Sequence, residues 1–100
     1  MSALRPLALA LAVGAAFTAP ALAADGAPHY RAELSAPAEK AHVVAGGLLW
    51  QCEGTECRAG KDNSRPLTVC RKLARETSAI VRFSAGGEEL PADELARCNG

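Results

Sequence analysis

The chain is short of the residues that most catalytic chemistries require. It carries two histidines, one tryptophan, one tyrosine and two phenylalanines in 100 residues. There is no G-x-S-x-G nucleophile turn, no H-E-x-x-H zinc helix and no glycine-rich phosphate loop. Neither His29 nor His42 has a nucleophile or a second ligand at a useful spacing. His29 is expected near a floppy terminus and His42 at the start of a strand, both as ordinary surface residues. Charge is not in excess either: eleven basic residues balance eleven acidic ones, so bulk charge selects no partner. No C-x-x-C is present, and that motif is what lowers the thiolate pKa in disulfide oxidoreductases. Internal repeats and low-complexity segments are absent beyond the first 23 residues.

What the chain does have begins with an apolar leader. Residues 1–23 read as a Sec-type signal peptide. Arg5 and the free amine supply the positive start, and residues 7–17 are uniformly apolar or small. Pro20 breaks the run just before Ala21-Leu22-Ala23, a small-x-small motif that places cleavage after Ala23. A transmembrane anchor is the rival reading, since the run is about long enough. Its alanine content, Gly14 and Pro20 count against it. No cysteine follows the run, so no lipid-anchor site is offered. The expectation is a single small exported domain over residues 24–100, periplasmic or secreted, with no transmembrane segment after cleavage.

Residues 48–57 form the stretch around which the remainder is organised. They hold the only tryptophan, Trp50, and two of the four cysteines. An apolar run enters a polar loop containing Gly54, which predicts a β-hairpin with Cys52 opposite Cys57. Upstream, residues 29–34 alternate, with Tyr30, Ala32 and Leu34 on one face, the pattern of a half-buried strand. Residues 41–52 read as one extended segment in which Gly46-Gly47 makes a bulge or bend rather than a break. Downstream, Asn63 or Ser64 is placed to cap a helix over residues 65–77, with Pro66 in its first turn. Val69, Cys70, Leu73 and Thr77 recur at helical spacing, and Arg71, Lys72 and Arg75 fall on the outer face. A strand over residues 79–83, a turn at Gly86-Gly87 and a short helix after Pro91 complete the chain. Leu95 and Cys98 face inward together on that helix.

Four cysteines allow three pairings. The hairpin favours Cys52–Cys57, because residues flanking a tight turn lie within disulfide reach. Packing both helices on one sheet face then favours Cys70–Cys98. Zinc is disfavoured, since its sites use C-x2-C pairs or closely spaced histidines, and the spacings here are x4, x12 and x27. Disulfides also suit a small exported domain whose core alone is modest.

Two charged groups merit weighing. Arg58, Lys61, Arg65, Arg71, Lys72 and Arg75 share their span with Asp62 as the only acid. Such a surface suits anionic head groups, polysaccharide or an acidic protein, although a solvated helix face is the plainer reading. Nucleic acid is not expected, because export removes it and no aromatics interleave the charges. Glu88, Glu89, Asp93 and Glu94 are carboxylates close in sequence, as in some hydrolases. They also stand at a turn and a helix start, where acids favour the helix dipole.

The pattern Trp50-x-Cys52, Cys57, Cys70 within a helix, Gly86-Gly87 and Leu95-Ala96-Arg97-Cys98-Asn99 resembles a family of short exported uncharacterised alphaproteobacterial proteins. The resemblance spans roughly residues 30–99 and implies an exported bacterial domain, with no activity, cofactor or catalytic residue to carry over. The sequence therefore leads to a small disulfide-stabilised α+β fold, a meander or hairpin sheet with one medium helix and a short C-terminal helix. Its expected role is a non-enzymatic envelope binding or structural module, with no metal and no cofactor. A small hydrolase using the acids of residues 88–94, or a thiol-redox protein, is the alternative.

Overall fold

A computed structural model of the chain describes residues 27–100. The expected signal peptide and its cleavage point lie outside the described residues. Six strands and two helices follow in the order β1 (Tyr30–Leu34), β2 (His42–Ala45), β3 (Leu48–Glu53), β4 (Glu56–Ala59), α1 (Pro66–Glu76), β5 (Ile80–Ala85), β6 (Glu88–Glu89) and α2 (Ala92–Asn99). All strands join one antiparallel sheet in the order β2-β3-β4-β1-β5-β6. Both helices cover one face and the other is open. The domain is a small α+β fold with two disulfides.

The first strand in sequence is central in space. β1 pairs with β4 on one side and β5 on the other, so the meander β2-β3-β4 docks onto β1 rather than running straight to β5. The hairpin at residues 48–57 is thus one flank of the sheet, and β1 is its axis. Residues 35–41 carry the chain from β1 beneath the β3–β4 turn to β2. This connection is pinned by backbone bonds from Ser35 N to Ala79 O at 2.8 Å and from Ala38 N to Gly54 O at 2.8 Å.

Gly46-Gly47 is a turn between two strands, not a bulge in one. Both glycines have positive φ, 60° and 85°, and Ala45 lies opposite Leu48. Two successive left-handed residues make the hairpin turn whose twist matches the flanking strands, and glycine adopts them without steric cost. The β3–β4 turn is tighter than a four-residue loop, since Glu53 already pairs with Glu56. Gly86-Gly87 repeats the device and leads into β6, a two-residue strand that the sequence reading leaves as turn.

The core follows from alternation. Across the covered face one rung reads Val43, Trp50, Ala59, Tyr30, Ala85, and the next reads Cys52, Cys57, Ala32, Phe83. Ala59 and Ala32 leave room for the rings on either side. Trp50, Tyr30 and Phe83 meet with centroid separations of 5.9–6.2 Å, and all three are buried. Such aromatic contacts favour tilted geometry and add roughly 0.5–1.5 kcal/mol each beyond area burial. Val69, Cys70 and Leu73 of α1 and Cys98 of α2 close the core from above.

Helix α1 begins without a side-chain cap. Arg65 occupies the cap position in an extended conformation and Pro66 follows at the first turn. The residue before a proline is pushed out of the helical region, which fixes the boundary there. Asn63 and Ser64 are therefore not the caps; the Ser64 N–H instead donates to Asp62 Oδ2 at 3.2 Å in the preceding turn. At the other end, Thr77 N and Thr77 Oγ1 both donate to Leu73 O, at 3.1 and 2.8 Å.

Candidate functional site

The four cysteines form the two expected bonds. Cys52 N donates to Ala41 O at 2.7 Å, so its amide points towards β2 and not towards β4. Cys52 and Cys57 are then a non-hydrogen-bonded cross-strand pair, the type whose Cα atoms approach most closely. Their Cα separation is 4.0 Å. Cys70 and Cys98 join α1 to α2 with a Cα separation of 5.7 Å. All four sulfur-bearing residues are buried, and no free cysteine remains among the described residues. Buried sulfur is poorly reached by an attacking thiolate, so the bonds read as a frame rather than as a reactive pair.

The three basic residues of α1 do not form one equivalent patch. Arg71 is exposed and its Nε donates to Arg97 O at 3.1 Å, capping the end of α2. A cation there complements the negative end of the helix dipole. Lys72 is half-buried, and its aliphatic stem crosses the Gly46 turn, where an added Cβ would lie within contact of Lys72 Cδ. Arg75 is exposed and, with Arg71, lines a groove of about 300 Å3 beside Cys98 and Asn99. Among the described residues none of the three forms an ion pair.

The four carboxylates do not converge. Glu89 accepts from Arg82 Nη2 at 2.6 Å on the open face, and this contact raises the Arg82 pKa further above its usual value. Asp93 lies 3.6 Å from Arg97 along α2. Glu88, Asp93 and Glu94 line none of the three grooves described here. His29 departs from the sequence reading. Its ring packs edge-on against Tyr30 at 4.6 Å and over the Gly86 turn, so this part of the chain is anchored.

The open face carries two charged rows. One runs Gln51, Arg58, Arg31, Ser84, Glu89, and the next runs Glu53, Glu56, Glu33, Arg82. Like charges directly opposite are unfavourable, and here the diagonal pairs Arg58–Glu53 (3.8 Å) and Arg82–Glu89 relieve part of that. These pairs are exposed and individually contribute little. Beyond them, towards β2, Val44 and Leu49 stand opposite each other and are 63% and 51% exposed.

The largest groove described, about 560 Å3, lies along the outer edge of β2. Residues 36–40 and the end of α1 at Glu76, Thr77 and Ser78 form its walls. Sequence reasoning misses it, because it depends on which strand ends up at the sheet edge. The Gly46-Gly47 pair standing between two apolar runs is the available signal that β2 and β3 are separate strands joined by a two-residue turn.

A family model described as a family of unknown function, DUF8200, matches residues 11–100. The chain belongs to DUF8200. No curated protein and no solved structure matches it. DUF8200 membership assigns no activity, so the candidate surfaces of this DUF8200 chain rest on their own geometry. Among the described residues there is no group of acids, histidines and cysteines arranged to hold a metal ion. Nor is any helix there long and apolar enough to cross a membrane.

Proposed function

We propose that this DUF8200 chain is an exported, non-enzymatic module of the bacterial cell envelope that binds an anionic surface or partner through α1. In this reading residues 1–23 direct export and are removed after Ala23, leaving the domain in the periplasm or outside the cell. The reading is supported by the disulfides, which are compatible with an exported protein. The observation that carries the binding role is the state of Arg71, Lys72 and Arg75, which have no carboxylate partner among the described residues. The Cys70–Cys98 bond ties their helix to α2, with Arg71 and Arg75 exposed beside it and Lys72 half-buried against the Gly46 turn.

The test is co-sedimentation of the chain beginning at Ala24 with phosphatidylglycerol vesicles. Binding is expected at low salt and should weaken at about 0.15 M salt, where the screening length falls to about 8 Å. Changing Arg71, Lys72 and Arg75 to glutamine should abolish it while both disulfides still form. Absence of binding by the unaltered chain at low salt would overturn the reading, because attraction is strongest there.

A further inference from the structure

We propose that the free edge of β2 is a strand-addition site, which takes an extended peptide segment of a partner protein bearing lysine or arginine. The two edges of the sheet differ. β6 has two residues, both glutamate, and charge and brevity are the usual means of blunting an edge. β2 is His42-Val43-Val44-Ala45, with no proline, no lysine and no bulge in its pairing with β3. Its register shows which amides are free. The bond from Cys52 N to Ala41 O makes that a hydrogen-bonded pair, so Val43 and Ala45 are also bonded towards β3. His42 and Val44 therefore turn their N–H and C=O groups outward, into the groove of about 560 Å3.

That arrangement suits one extended backbone. Two donors and two acceptors lie along the edge, and Val44 with Leu49 offers an exposed apolar pair beside them for every second side chain of an added strand. The wall charges select the occupant. Glu39 and Glu76 line the groove against Lys40, and neither carboxylate forms an ion pair among the described residues. The surplus is acidic and is complemented by a cationic side chain. A second copy would present the same acidic walls, since its own residues 36–40 and α1 end accompany its β2. Charge thus favours a separate peptide over self-pairing.

The probe is a blocked peptide of sequence TVKVKVT, with TVEVEVT as its acidic counterpart, added to the folded chain at up to about 1 mM, an affinity range suited to a few hydrogen bonds. Amide exchange is followed residue by residue. TVKVKVT should slow exchange at His42 and Val44 saturably, and TVEVEVT should bind at least roughly tenfold more weakly, a difference of about 1.4 kcal/mol. Val44→Pro removes an outward N–H without touching the β2–β3 ladder, and should weaken TVKVKVT at least roughly tenfold. His42→Pro tests the same point should Val44→Pro fail to fold. The proposal is overturned if TVKVKVT leaves both amides unprotected, or if the proline variants bind it as well as the unaltered chain. Equal binding of TVEVEVT overturns the assigned charge. Protection of both amides without peptide, together with a doubled mass in sedimentation, replaces the peptide by a second copy.

Discussion

The Asn99 side chain clasps the backbone of Ile80 from both sides. Asn99 Oδ1 accepts from Ile80 N at 2.7 Å, and Asn99 Nδ2 donates to Ile80 O at 2.8 Å. The last residue of α2 thus completes the start of β5, supplying the two bonds that a neighbouring strand would otherwise give. Nδ2 also donates to Leu95 O at 3.2 Å, which ties the clasp to the helix itself. Next to it, Cys98 binds the same helix to α1.

Replacing Asn99 with alanine should therefore destabilise the domain by about 2 kcal/mol, two net hydrogen bonds at about 1 kcal/mol each. Asn99→Asp should also destabilise at neutral pH, because a carboxylate keeps the bond from Ile80 N but cannot donate to Ile80 O and sets an anion against it. Urea unfolding curves with unchanged slope would measure both values.

Gly46 is the most constrained of the turn glycines. Its φ is +60°, and a Cβ would collide with the Lys72 stem. Gly46→Ala should cost about 1–2 kcal/mol for the left-handed backbone alone. The steric part should be recovered in the Lys72→Ala background, leaving the conformational part. At Gly47 the φ is +85° but the space is open, so Gly47→Ala should show no such coupling to Lys72. Thermal melts of the three single variants and the two double variants with Lys72→Ala give the comparison.

Much of the fold was legible because side-chain alternation and burial agree. Tyr30, Ala32 and Leu34 face the core as their spacing indicates, as do Val69, Cys70 and Leu73 on α1. The Gly46-Gly47 turn departs from the expected bulge because both devices flip the inward-facing parity of the residues that follow, and only the Gly-Gly pair between two apolar runs favours a two-residue hairpin turn. The central position of β1 is not legible locally, since it follows from pairing with residues 23–55 positions away. The same non-locality hides the candidate surfaces. Lys72 is adjacent to Arg71 in sequence but about 100° round the helix from it, and its stem lies against Gly46 while Arg71 caps α2.

Acid should weaken the turn before α1. Asp62 has a pKa below its ordinary value because it accepts hydrogen bonds from Ser64 through both the side chain and the backbone. A carboxyl with a folded pKa below its unfolded one contributes stability above the unfolded value, about 3.9, and loses it as pH falls through the folded value. Asp62→Asn should remove this part of the acid limb. Titrations of stability from pH 6 down to about 2 should show a shallower fall for the variant.

The frame depends more on the bond between the helices than on the bond within the hairpin. Cys70–Cys98 closes 28 residues, including β5 and β6, whereas Cys52–Cys57 closes 5. Chain entropy assigns them about 3.5 and about 2 kcal/mol respectively. Cys52 and Cys57 are also held in place by the Glu53–Glu56 pair and the turn beyond it. The direct measurement is a thermal melt of two double variants, Cys70→Ser with Cys98→Ser, and Cys52→Ser with Cys57→Ser. The first should be the less stable, by about 1.5 kcal/mol at matched temperature. A Cys52/Cys57 variant that melts below the Cys70/Cys98 variant, or peptide mapping that joins Cys52 to Cys70 or Cys98, would contradict it.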